Sequence, residues 1–129
     1  MFTHDDIKAL ARDRFGTEPD HPFADDDFTY TLRQPDHGKW YAVGMRVKRE
    51  VIGLPGDGLV DIVNVKADPN IVPSLTKKLG ILPGYHMNKA HWITVVMKSA
   101  VTIEDFESLL SESFALTAPK KPHGACTSL

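Results

Sequence analysis

A single cysteine, Cys126, stands in the whole chain. A lone thiol excludes an internal disulfide framework and any zinc site built from several cysteines. No apolar run approaches the ~18 residues that a membrane span needs. The first residues carry Asp5 and Asp6 and no apolar stretch. No secretory leader is therefore expected, and the cytoplasm is the expected compartment. Phosphate-cradling patterns are missing as well. The segment Gly53-Leu54-Pro55-Gly56-Asp57-Gly58 is rich in glycine, but no Lys-Ser/Thr follows it, so it reads as a turn. No serine or cysteine sits in a nucleophile elbow. A strong charge of one sign is also lacking. The net charge of -2 argues against indiscriminate attraction to nucleic acid.

What remains is an ordinary globular composition. The chain has 129 residues, 42% hydrophobic and 25% charged, which is enough for one domain with its own core. Its charge is uneven along the sequence. Residues 1–27 hold 3 basic and 8 acidic side chains, net -5. Residues 28–98 hold 10 basic and 5 acidic, net +5. Residues 99–129 hold 2 basic and 4 acidic, net -2. Either the middle segment builds a basic face or its charges are solvated independently.

Taken in order, Thr3 predicts a helix N-cap, with Asp5 and Asp6 in the first turn. Ile7, Leu10 and Ala11 repeat at helical spacing, and Gly16 supplies a stop. Residues 17–27 read as a loop, and Asp25, Asp26 and Asp27 lack the alternating spacing of a calcium loop. Phe28 to Leu32 alternates as a strand. Lys39 to Val47 and Leu59 to Val65 follow as two more. The connection after Arg46, Lys48 and Arg49 predicts either a projecting wing or a plain strand end. Asp68-Pro69 signals a second helix that Pro73 disturbs, with Leu75 and Leu79 on its buried face and Gly80 at its end. Trp92 to Met97 predicts a strand. Thr102 caps a last helix with Phe106, Leu109, Leu110, Ser113 and Phe114 facing inward. The tail from Thr117 is expected to be disordered.

One stretch is unusually dense in polar and aromatic groups: Leu82-Pro83-Gly84-Tyr85-His86-Met87-Asn88-Lys89-Ala90-His91-Trp92. His86 and His91 have no third ligand nearby, so no metal is expected. No cofactor is expected either. Tyr85 and Trp92 offer flat surfaces, Lys89 a charge, and His86, Asn88 and His91 hydrogen bonds. Such a group suits phosphates, sugars or bases. The competing reading is scaffold, with Asn88 holding a turn and Trp92 in the core.

The string Pro83-Gly84-Tyr85-His86-Met87-Asn88-Lys89, with His91-Trp92, Thr94 and Val95, resembles the MmcQ/YjbR family. Lys66-Ala67-Asp68-Pro69 resembles that family's Lys-x-Asp-Pro element, and Ser113-Phe114-x-Leu116 its closing helix. The resemblance runs from about Thr3 to Leu116. It implies an α+β fold of order α-β(3)-α-β(2)-α, an antiparallel sheet with helices packed on one face, similar to secretion chaperones. It implies a non-enzymatic DNA-binding role with a double-wing arrangement. Pro73 and the long segment from Lys48 to Gly58 depart from the family pattern. The expected phosphate contacts are Arg46, Lys48, Arg49, Lys66 and Lys89. The alternative is a small-molecule or peptide site at Tyr85, His86, Asn88, His91 and Trp92. The expected domain spans residues 1–116, with no membrane partner.

Overall fold

The computed structural model describes residues 2–119. Helix α1 (His4–Phe15) opens with a complete capping box. The Thr3 hydroxyl accepts from the Asp6 amide and the Asp6 carboxylate accepts from the Thr3 amide. Gly16 ends the helix at φ 62. Strands β1 (Tyr30–Arg33), β2 (Trp40–Lys48) and β3 (Leu59–Lys66) follow. After them come a short helix α2 (Val72–Leu75), strands β4 (Ile81–Pro83) and β5 (Trp92–Val96), and helix α3 (Ile103–Thr117). This is the expected α-β(3)-α-β(2)-α order. The sheet is antiparallel throughout, in the order β1-β2-β3-β5-β4.

Strand alternation divides the sheet residues between two faces. One face carries Tyr30, Leu32, Val63, Val65, Ile93 and Val95, and packs against Ile7 and Ala11 of α1 and Phe106 and Leu110 of α3. Phe2 stacks on Phe106, and Phe15 on Phe114, where the two helices meet. Ser113 ties α3 to the sheet at 2.6 Å by donating to the Tyr41 carbonyl, and it accepts from the Lys66 amide. The helices thus cover one face only.

A β-bulge sets the division in β2. Leu32 pairs with Ala42 but Arg33 pairs with Trp40, which leaves Tyr41 as an extra residue. An extra residue shifts the alternation by one position. Tyr41 and Ala42 both enter the helix-side core, while Val43 and Met45 face the opposite side. Gly44 lies under the Tyr30 ring, and any Cβ there would overlap the phenol.

The other sheet face has a smaller cluster of Val60, Ile62 and Val96. Ile52 and Leu54 fold back onto it. The segment after Lys48 therefore does not project as an extended wing. It coils through a 3-10 turn at Arg49–Ile52 and closes with the Arg49 amide donating to the Gly58 carbonyl at 3.0 Å. The apolar residues Val51, Ile52 and Leu54 explain the difference: two of the three find cover against the sheet.

Three expectations need correction. Strand β1 begins at Tyr30, because Asp26 captures the Phe28 and Thr29 amides and holds that segment in a turn. Helix α2 is a single turn, with Pro73 near its start. Beyond Leu75 the chain turns, so Leu79 is 81% exposed and Val72 is the buried residue in its place. Thr117 belongs to α3, buried and accepting from Gln34 at 3.0 Å. The expected disordered tail at 120–129 lies outside the described residues.

Candidate functional site

Between β2 and the loop after β4, the helix-free face forms a groove of about 380 Å³. Phe23 and Trp40 form one wall, edge to face at 6.0 Å. Tyr85, His86 and Met87 form the other. Val43, Met45 and Asn64 make the floor, and Asp26, Thr29 and Arg46 border one end. The volume falls in the range of small-ligand pockets, about 300–1,000 Å³.

The floor has a polar centre. Asn64 and Thr94 face each other across β3 and β5, and both are fully buried. The Thr94 hydroxyl donates to the Asn64 side-chain oxygen. The Asn64 amide nitrogen donates to the Tyr85 carbonyl at 3.0 Å, and the Tyr85 amide donates to the Thr94 hydroxyl at 2.8 Å. Both backbone groups of Tyr85 are thereby pinned to the sheet. Gly84 precedes it because a Cβ there would crowd the Trp92 backbone. His86 follows at φ 61, the one non-glycine residue at positive φ among the described residues. That conformation is uncommon for a histidine and persists where neighbours hold it.

The polar run divides into two parts. Tyr85 and His86 reach the groove. Asn88 does not: its side-chain oxygen accepts from the Ala90 amide at 2.9 Å, and its carbonyl from the His91 and Trp92 amides. Lys89 donates to the Gly84 carbonyl at 2.9 Å. The His91 carbonyl accepts from the Ala67 amide, and Trp92 pairs with Lys66 across β3 and β5. Asn88, Lys89, His91 and Trp92 thus build the return into β5, outside the groove lining.

The basic residues do not form one face either. Arg46 sits on the helix side and makes a two-point pair with Asp61, at 2.7 and 3.2 Å. Its guanidinium lies 4.5 Å over the Phe28 ring. Lys48 and Arg49 continue toward the hairpin end, where Arg49 donates to the Pro55 carbonyl at 2.7 Å. Lys66 lies five residues beyond Asp61 on β3, roughly 17 Å away at strand rise. Lys89 lies with it at that far end.

Behind Arg46, the buried His4 ring bonds the Tyr30 hydroxyl at 2.7 Å through Nδ1. Burial raises the Tyr30 phenol, so it stays protonated. The other ring nitrogen, Nε2, lies 3.7 Å from Asp61 without a hydrogen bond. Burial lowers the His4 pKa, with Asp61 pulling the other way. The Arg46 hydrogen bonds hold the Asp61 carboxyl below its usual range.

Asn64, Thr94, Phe23, Trp40 and Met45 were not marked by the sequence as site residues. Asn64 carried a signal, since Asp61 and Asn64 are the two polar residues in the strand Val60 to Val65 and fall on opposite faces of it. Among the described residues, no group of three or more His, Cys, Asp or Glu side chains is arranged to hold a metal. No described helix is long and apolar enough to cross a membrane.

A family model described as YjbR matches residues 13–116. The uncharacterized protein YyaQ of Bacillus subtilis is 38% identical over 117 residues, covering 91% of this chain and 99% of YyaQ. A crystal structure of a Pseudomonas syringae protein superposes with a TM-score of 0.89 at 39% identity, covering 91% of this chain and 100% of that one. The Deinococcus radiodurans protein DR2400, with a DUF419 domain, gives 0.70 at 27% identity, covering 97% and 85%.

Proposed function

The chain belongs to the YjbR family, and from that premise we propose that it is a non-enzymatic binding module that holds a planar aromatic small molecule in the open-face groove. The observation that carries this reading is one groove lined by two ring pairs, Phe23 with Trp40 and Tyr85 with His86, beside the Asn64 that holds the Tyr85 carbonyl. Such rings favour a flat ligand through stacking and edge contacts. Met45 and Met87 add soft, adaptable surface. His86 supplies a polar group that would orient such a ligand. The lining contains no serine or cysteine, and the Asp26 carboxylate is engaged by Thr29 and the Phe28 amide. Those facts support binding over covalent catalysis.

Intrinsic fluorescence tests the reading. The chain has two tryptophans, so W92F leaves Trp40 as the sole reporter. Titration with adenosine, guanosine and riboflavin is expected to quench Trp40 saturably with one of them, and Y85A is expected to abolish the effect. A linear, non-saturating response to all three, unchanged in Y85A, would refute the reading.

Duplex DNA is the second reading, favoured by the gathering of Arg46, Lys48 and Arg49 with Lys98 near the β2–β3 hairpin. Lys66 and Lys89 do not join them, so the contact would be confined to that end. Fluorescence anisotropy of a labelled duplex should then show binding that weakens steeply with salt, as counterions are released. Binding indifferent to salt, or none at low salt, would count against it.

A further inference from the structure

A second cavity, about 340 Å³, opens at the hairpin end of the sheet, bordered by Arg46, Arg49, Leu59, Val60, Asp61 and Lys98. Three cations and one carboxylate meet there, for a local charge of +2 (3 minus 1). Like charges gather without an equal number of acids only at some cost, so an unbalanced group facing one cavity is a recognition feature.

The two guanidinium groups are held in similar ways. Arg46 spends Nε and one N–H of Nη2 on Asp61. Arg49 spends Nε on the Pro55 carbonyl and lies across Gly56, where a Cβ would touch its Nε at 3.5 Å. Among the described residues, each keeps terminal N–H donors free, and each is fixed before a ligand arrives. Such donors match the paired oxygens of a phosphate. Lys98 continues β5 past the Met97 amide, which donates to the Asp61 carbonyl at 3.1 Å, and its ammonium helps to lower the Asp61 pKa. The carboxylate is itself backed by the buried, unpartnered Nε2 of His4. Asp61 orients Arg46 through both of its carboxylate oxygens.

We propose that this cavity binds a phosphate monoester, with Arg46, Arg49 and Lys98 as its ligands. The local charge of +2 favours a dianionic monoester over a singly charged diester. The cavity adjoins the aromatic groove only through Arg46, which borders both, and the proposal shares side chains with the duplex reading without requiring it.

The test is a two-dimensional amide NMR titration of the full chain with inorganic phosphate, with AMP and with an unphosphorylated duplex, each against sodium chloride of equal ionic strength. Phosphate and AMP are expected to shift the amides of Arg49, Leu59, Val60 and Lys98 saturably. The R49Q/K98Q variant should bind at least about tenfold more weakly, a loss of about 1.4 kcal/mol. Its dispersed spectrum would show that it remains folded. Competition by the duplex for the same amides, at equal phosphate concentration, would show that diesters bind as well and would overturn the preference for a monoester. Binding of AMP without duplex would assign the cavity to phosphomonoesters and support the proposal. Shifts no larger than those from chloride, or unchanged affinity in R49Q/K98Q, would overturn it. Adenosine, which lacks the phosphate, reads the groove separately through Tyr85 and Met87.

Discussion

Replacing Asn64 and Thr94, singly and together, should produce strongly non-additive losses of stability. N64V removes the acceptor of the Thr94 hydroxyl and the donor to the Tyr85 carbonyl. T94V removes the donor to the Asn64 oxygen and the acceptor of the Tyr85 amide. Each single change strands two polar groups. At roughly 1–3 kcal/mol for each unsatisfied buried group, and with Tyr85 only half-buried, each should cost about 3 kcal/mol. Simple addition predicts about 6 kcal/mol for the pair. The double variant, however, also strands only two groups, the amide and carbonyl of Tyr85, because both side-chain partners are gone. Its expected cost is again about 3 kcal/mol, a coupling of about 3 kcal/mol, at the upper end for residues in direct contact. Urea denaturation followed by circular dichroism measures all four corners of the cycle. Amide exchange at Tyr85 should accelerate in all three variants. A double variant whose loss equals the sum of the singles within about 0.5 kcal/mol would show that the two side chains do not act as one unit, and the account of the pinned loop would fail.

Two other perturbations test the structure away from the groove. G44A places a methyl group inside the Tyr30 ring. It should cost about 1–3 kcal/mol by overpacking, with loss of the His4–Tyr30 contact visible in the His4 imidazole resonances; unchanged stability would contradict the close approach. The buried imidazole of His4 should make stability depend on pH. Its folded pKa is below the ordinary value of 6.5, chiefly through burial. As pH falls through that value the unfolded chain takes up a proton and the folded chain does not. The contribution is thus complete at higher pH and is lost on acidification until the folded imidazole also titrates. Thermal unfolding from about pH 7.5 to about pH 5.5 should show this slope, and H4Q should flatten it; an equal slope in H4Q would place the effect elsewhere.

Much of the fold was legible because local signals and burial agreed. Thr3 and Thr102 cap the helices they were expected to cap. The strands follow their β-branched runs, and the element order agrees with the family resemblance. The second helix was misread because Leu75 and Leu79 have helical spacing, yet four residues of helix cannot bring Leu79 to the core. Spacing is a local property, whereas the length of a helix depends on what covers it. The site was less legible for a related reason. The run from Tyr85 to Trp92 concentrates polar residues, but backbone geometry decides which of them are spent internally. Asn88 and Lys89 bond their own loop. The walls opposite Tyr85 come from Phe23 and Trp40, some sixty and forty positions earlier in sequence. Arg46 and Lys66 belong to one basic segment but to opposite faces and ends of the sheet. No one-dimensional pattern states that division.

The surplus residue in β2 limits how this protein can change. A slip of β2 by one residue against its neighbours, with the bulge kept, would exchange the roles of Val43 and Met45 with those of Gly44 and Arg46. The groove floor would become a glycine and a charge, and the Tyr30 ring would meet a valine side chain where it now meets none. Core and groove are thus encoded in the same letters of β2, read in a frame that the bulge sets. Insertions and deletions there are penalised twice. Ligand preference can drift more freely through Phe23 and through Tyr85 to Met87, whose loops border the groove without carrying that frame.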